Sequence, residues 1–192
     1  MKTKDLFRGA MVAVCAAMML VGMSCNLISG NDPVTPPSGS NDSTSTSDAS
    51  MKVTTWYSFP TNEDMLDLFY IKVEYLDGDG KMQTVTLNDD AWVVQVESKK
   101  LPAKLGMRVN ITMKGTADLT KYQSVNINYT VSAISRLFDA QGKKTGDDHK
   151  HIVDVELELA PNKVSQWVEE YKKNPVEFWY EYDANGNYKQ TK

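Results

Sequence analysis

The stretch Leu66–Leu87, LDLFYIKVEYLDGDGKMQTVTL, decides the fold. Phe69, Ile71, Val73 and Tyr75 alternate with Tyr70, Lys72 and Glu74. A period of two places one apolar row on one face of a strand. The run breaks at Asp77-Gly78-Asp79-Gly80-Lys81 and resumes with Val85 and Leu87, which predicts a β-hairpin. An aspartate at the start of such a turn bonds the backbone two residues on, and a glycine supplies the positive φ of a G1 bulge.

The same signature recurs at Asp139-Ala140-Gln141-Gly142-Lys143 and Asp183-Ala184-Asn185-Gly186-Asn187, behind Phe138 and Tyr182. The three copies have no constant spacing, so they argue for antiparallel sheets rather than a solenoid. Strands are expected at Val53–Phe59, Leu68–Leu76, Met82–Leu87, Trp92–Glu97, Met107–Lys114, Tyr122–Arg136, Ile152–Leu159 and Val176–Tyr182. Straight, the sixth would be about 50 Å long, which predicts a bulge or bend near Ala133. One helix interrupts the β pattern. Pro161 and Asn162 open it, Val164, Trp167, Val168 and Tyr171 form its apolar stripe, and Lys172-Lys173-Asn174-Pro175 closes it.

Eight strands with short connections and one late helix imply an all-β, antiparallel β-sandwich of immunoglobulin or transthyretin type. The alternative is a lipocalin-like β-barrel, whose element order is similar. The Gly-x-Trp opening of lipocalins is missing, because Thr54 stands two residues before Trp56.

At the start of the chain, Lys2, Lys4 and Arg8 precede an apolar run from Ala10 to Met23, which ends at Ser24-Cys25. The run is too short to span a hydrocarbon core about 30 Å thick, and its basic flank is that of a signal peptide. These residues resemble a bacterial lipoprotein precursor, which implies cleavage after Ser24 and acylation of Cys25. Removing residues 1–24 leaves Cys25 as the one cysteine, so no internal disulfide is available to an exported product. Each buried lipid CH₂ contributes about 0.8 kcal/mol, so two or three acyl chains anchor a protein firmly.

Of residues 26–50, 21 are Ser, Thr, Pro, Gly, Asn or Asp, a composition that cannot offset its ordering entropy by burial. Residues 1–24 therefore read as signal peptide, 25–50 as lipidated cysteine and linker, and 51–192 as the β-sandwich domain. Asp42-Ser43-Thr44 resembles the O-glycosylation acceptor of Bacteroides-type organisms, which implies a sugar on Ser43. After loss of Lys2, Lys4, Arg8 and Asp5 the chain holds 18 basic and 24 acidic residues, near −6. That balance argues against nucleic acid as a partner and against a peripheral grip on anionic lipid.

Candidate chemistry is sparse. His149 and His151, near Asp147 and Asp148, offer ligand-type side chains for zinc, but with no third histidine or further cysteine in the domain no metal or cofactor is expected. Asp154, Glu156 and Glu158 share one face of a strand. A hydrolase could use such carboxylates, yet neighbours two apart on an exposed strand normally form a solvated face. Asp77-Gly78-Asp79 lacks the glycine and closing glutamate of a calcium loop, where Met82 and Asn88 stand. Trp56 and Trp179 fall out of phase with the apolar rows of their strands and are candidates for stacking on a ligand. No phosphate loop or nucleophile elbow occurs.

Val73–Tyr75, the Asp77–Lys81 hairpin, Trp92 and Leu101-Pro102-Ala103 together resemble the small uncharacterised lipoproteins of Bacteroidetes. That resemblance implies a β-sandwich without a stated activity. The expectation is a cell-envelope, outer-membrane lipoprotein, held in lipid through Cys25. Its domain would be a non-enzymatic binding module for an envelope protein or a glycan. A carrier of a small apolar ligand is the second reading, and a carboxylate-dependent hydrolase the third.

Overall fold

The structure is a computed structural model that describes residues 50–191. Cys25, Ser43 and the segments 1–24 and 25–49 lie outside the described residues. Among the described residues nine strands form two antiparallel sheets. They are β1 (Lys52–Pro60), β2 (Phe69–Leu76), β3 (Met82–Thr86), β4 (Ala91–Ser98), β5 (Ala103–Met113), β6 (Val125–Phe138), β7 (Lys144–Leu159), β8 (Glu177–Tyr182) and β9 (Tyr188–Gln190). One sheet has the order β4-β1-β6-β7 and the other β3-β2-β5-β8-β9. Neither closes on itself, so the expected all-β sandwich is formed and the barrel is not.

The inner rows follow from alternation. Val53, Tyr57 and Phe59 of β1 and Val131 and Ala133 of β6 are buried in one core with Ile71 and Val73 of β2, Leu105, Met107 and Val109 of β5, and Tyr180 of β8. Hydrogen bonds also cross between the sheets. The Gly106 amide donates to the Tyr57 hydroxyl at 2.9 Å, and Ser135 Oγ lies 2.7 Å from both Thr55 Oγ1 and the Tyr180 hydroxyl. Burial pushes the Tyr180 hydroxyl up to about 12.

Two helices lie at one end. The six-residue α1 (Glu63–Leu68) was not expected. Its Asn62 cap accepts from the Met65 amide, and Met65 and Leu68 are buried. A single turn and a half carries too few positions for a 3.6-residue period to show. The expected helix is α2 (Pro161–Lys173), with Pro161 in its first turn and Val164, Val168 and Tyr171 buried. Trp167 meets Phe69 edge-on at 5.6 Å, Tyr171 meets Tyr129 at 6.4 Å and 87°, and the Tyr171 hydroxyl donates to the Val109 carbonyl at 2.9 Å.

The three aspartate-glycine hairpins gather at the other end, where β1 begins. In each, the Asp77, Asp139 or Asp183 carboxylate accepts two backbone amides of its own turn, and Gly80, Gly142 and Gly186 have φ of 73°, 79° and 82°. A Cβ on Gly78 would meet the Glu97 carbonyl, and one on Gly186 would meet Leu137 and Met51. These close approaches tie the turns of one sheet to the strand ends of the other.

Two boundaries differ from expectation in ways that matter below. β7 begins at Lys144 rather than Ile152, so His149 and His151 are strand residues in phase with Val153 and Val155. The irregularity in the β6–β7 pair lies between Ser135 and Leu137, two residues beyond Ala133, and its extra residues belong to β7. Ser135 pairs with His149 and Leu137 with Thr145, so Arg136 alone faces Gly146, Asp147 and Asp148.

Candidate functional site

Within the β7 bulge two adjacent acidic residues face opposite ways, as alternation along a strand dictates. Asp148 turns to the outer face of its sheet, where Arg136 grips it through Nε at 3.1 Å and Nη2 at 2.9 Å, and Lys144 Nζ adds a contact at 2.8 Å. The Arg136 guanidinium holds the Asp148 carboxyl far below its ordinary range, with Lys144 helping. Asp147 instead lines an open cleft of about 300 Å³ together with Met51, Leu137, Thr145, His149, Tyr182 and Asn185. Gly146, at φ 67°, lies in the bulge ahead of both aspartates.

Behind this cleft lies an aromatic cluster shared by the two sheets. His149 stacks on Tyr188 at 4.1 Å and meets Tyr182 edge-on at 5.7 Å. His151 stacks between Phe178 at 5.3 Å and Tyr180 at 5.1 Å, and its Nε2 bonds the Tyr188 hydroxyl at 2.5 Å. Burial lowers the His151 pKa, and the neighbouring His149 lowers it further. Tyr182 is fully buried, and its hydroxyl makes no short hydrogen bond among the described residues; it faces the Ser135 hydroxyl, which Thr55 and Tyr180 already share.

The two candidate tryptophans both stand on outer faces but in different surroundings. Trp56 Nε1 donates to Gln95 Oε1 at 3.0 Å, and the Arg136 guanidinium sits 5.4 Å from its ring centre. A cation already covers it. Trp179 leans across Gly106, where a Cβ would come within 2.5 Å of its ring, and its Nε1 donates to Glu177. Arg108 forks onto the same Glu177 oxygen through Nε and Nη2, at 2.8 Å and 2.6 Å. Two pairs along the strands from Trp179, on the same face, stand Lys104 and Glu181. They line a second cleft, of about 880 Å³, with Lys81, Lys99, Lys100 and Asp79.

His149 and His151 face inward as aromatic packing, and no group of three metal-ligating side chains occurs among the described residues. Asp154, Glu156 and Glu158 are exposed on the outer face of edge strand β7, outside both clefts, where Thr130 donates to Asp154 at 2.7 Å. The Asp77 carboxylate is occupied by its own turn. Sequence reasoning missed Asp147, His149, Tyr182 and Asn185 as one group. The available signal was the row His149, His151, Val153, Val155, which continues one alternation. Among the described residues no helix is long and apolar enough to cross a membrane. Compared with protein-family models, curated proteins and solved structures, the chain matches none.

Proposed function

We propose that the chain is a cell-envelope lipoprotein of the outer membrane, anchored through acylated Cys25, whose sandwich is a non-enzymatic module that binds an envelope glycan. The observation that carries the glycan reading is Trp179 seated across Gly106 beside the Glu177–Arg108 pair. A sugar ring needs a flat aromatic surface for its C–H face and charged groups at the edge for its hydroxyls. Lys104 and Glu181, two residues further along the same face, lead into the lysine-lined cleft at the hairpin end. An envelope protein as partner has no comparable feature in its favour.

Binding rather than chemistry is further supported by the placement of Asp154, Glu156 and Glu158, which are exposed on an outer strand face and line neither cleft. A carrier of apolar ligands would want a hollow interior, whereas Tyr57, Phe59, Met107 and Tyr180 fill this one.

The test is a glycan array probed with the full mature chain. Binding of envelope or host polysaccharides should disappear in Trp179→Ala and persist in Trp56→Ala, with matched thermal unfolding curves as the control for folding. Equal binding by both variants, or no glycan bound at all, would overturn the reading. Separately, Cys25→Ser should move the protein from the membrane fraction to the soluble one.

A further inference from the structure

We infer that the free edge of β7 pairs with the same edge of a second copy of this chain, antiparallel and centred on Ile152, so that the two β4-β1-β6-β7 sheets run on as one. A strand at the rim of a sheet turns unpaired N–H and C=O groups outward, and proteins blunt such rims by shortness, proline or charge. Three of the four rims here are short, since β3, β4 and β9 have five, eight and three residues. β7 has sixteen, contains no proline, and pairs with β6 alone among the described residues. From His149 to Leu159 its register is unbroken. Charge does stand on this rim, but in an order that favours one pairing instead of forbidding all.

The occupant follows from the side chains on the outer face. Ile152, 51% exposed, stands at the middle of the strand. Lys150 precedes it, and Asp154, Glu156 and Glu158 follow it, all exposed. β6 does not answer these charges, because its residues opposite Lys150, Asp154, Glu156 and Glu158 are Ile134, Thr130, Asn128 and Asn126. A strand with a basic half and an acidic half complements itself when the second copy runs the other way about a twofold axis. Setting Ile152 against Ile152 places Lys150 of each copy opposite Asp154 of the other, twice, with the two exposed isoleucines between them. Asp148 then falls opposite Glu156 of the second copy, and Arg136 and Lys144 already hold that aspartate. Centring the pair on Lys150 or on Asp154 would instead put two like charges on the axis. Trp179 belongs to the other sheet and stays uncovered, so this pairing goes beyond the glycan reading and does not depend on it.

The test uses the mature chain with Cys25→Ser, which removes the acylation site and any cross-link through that thiol. Sedimentation equilibrium should show a dimer that forms reversibly as concentration rises. Lys150→Glu and Asp154→Lys each turn two attractions into two repulsions, and each should weaken the dimer by about tenfold or more while leaving the unfolding midpoint near that of the starting chain. An equimolar mixture of the two variants should dimerise again, because each variant position then meets the opposite charge on the other chain. A starting chain that stays monomeric up to about 100 µM, a concentration that populates complexes of micromolar affinity, would overturn the inference. So would a dimer whose affinity neither substitution changes, or a mixture no more associated than its two components.

Discussion

The two ends of the sandwich are built on opposite terms. At the helix end, α1 and α2 bury Met65, Leu68, Val164, Val168 and Tyr171, and the Tyr171 hydroxyl is bonded to the Val109 carbonyl. At the hairpin end, glycines hold left-handed conformations, a bulge interrupts β7 and two clefts open. The first end is explained by packing alone. The second keeps features that packing would remove, as the binding role proposed above would require.

The sharpest way to break this comparison is Tyr171→Ala. The substitution leaves a cavity against Tyr129 and Trp167 and removes the bond to Val109, so urea denaturation of the mature chain should show a loss of about 3–5 kcal/mol. The Trp179 surface does not include Tyr171, so glycan binding measured below the unfolding midpoint should survive. Loss of binding in a still folded variant would show that the two ends are not separable.

A middle-sized effect comes from comparing three copies of one turn. Gly142→Ala meets open space and keeps only the conformational penalty of φ 79°, about 1–2 kcal/mol. Gly186→Ala adds a collision with Leu137 at 2.8 Å and should lose roughly 2–3 kcal/mol. Equal losses in the two variants would mean that the third hairpin is not seated against β6 as described.

The hairpins were legible because their chemistry is local. Asp139 and Gly142 state the turn within five residues, and strict alternation at Phe69–Tyr75 states which face is buried. The second helix was legible from Pro161 and the stripe ending at Tyr171. The hairpin-end cleft was not, since it depends on pairing between distant residues. Nothing near Gly146 announces that Arg136 will oppose three residues there, and the Gly-Asp-Asp run reads as an exposed strand start. Tyr182 reads only as the aromatic residue ahead of the third turn, because its full burial is a property of the assembled core. The tryptophans stood between these cases. Alternation put Trp56 and Trp179 on outer faces, but only the packed sheets distinguish the ring covered by Arg136 from the one laid over Gly106.

The gentlest probe of the hairpin end is acid, through His151. Burial against Phe178 and Tyr180, together with His149, lowers its pKa in the folded chain below the ordinary histidine value of about 6.5. Unfolded chains therefore bind more protons once the pH falls through that value, so stability is complete above it and declines as the pH drops toward the folded pKa. Carboxylates behave alike but later, because Asp148 and Asp183 are lowered from values near 4 and release their contribution only below that. Denaturation midpoints should thus fall in two separate stages. His151→Phe, which keeps a ring in the stack, should abolish the first stage and leave the second. A wild-type midpoint that stays flat from pH 7.5 to 4.5 would mean that water reaches this imidazole freely, and the aromatic cluster behind the cleft would then be looser than its stacking distances describe.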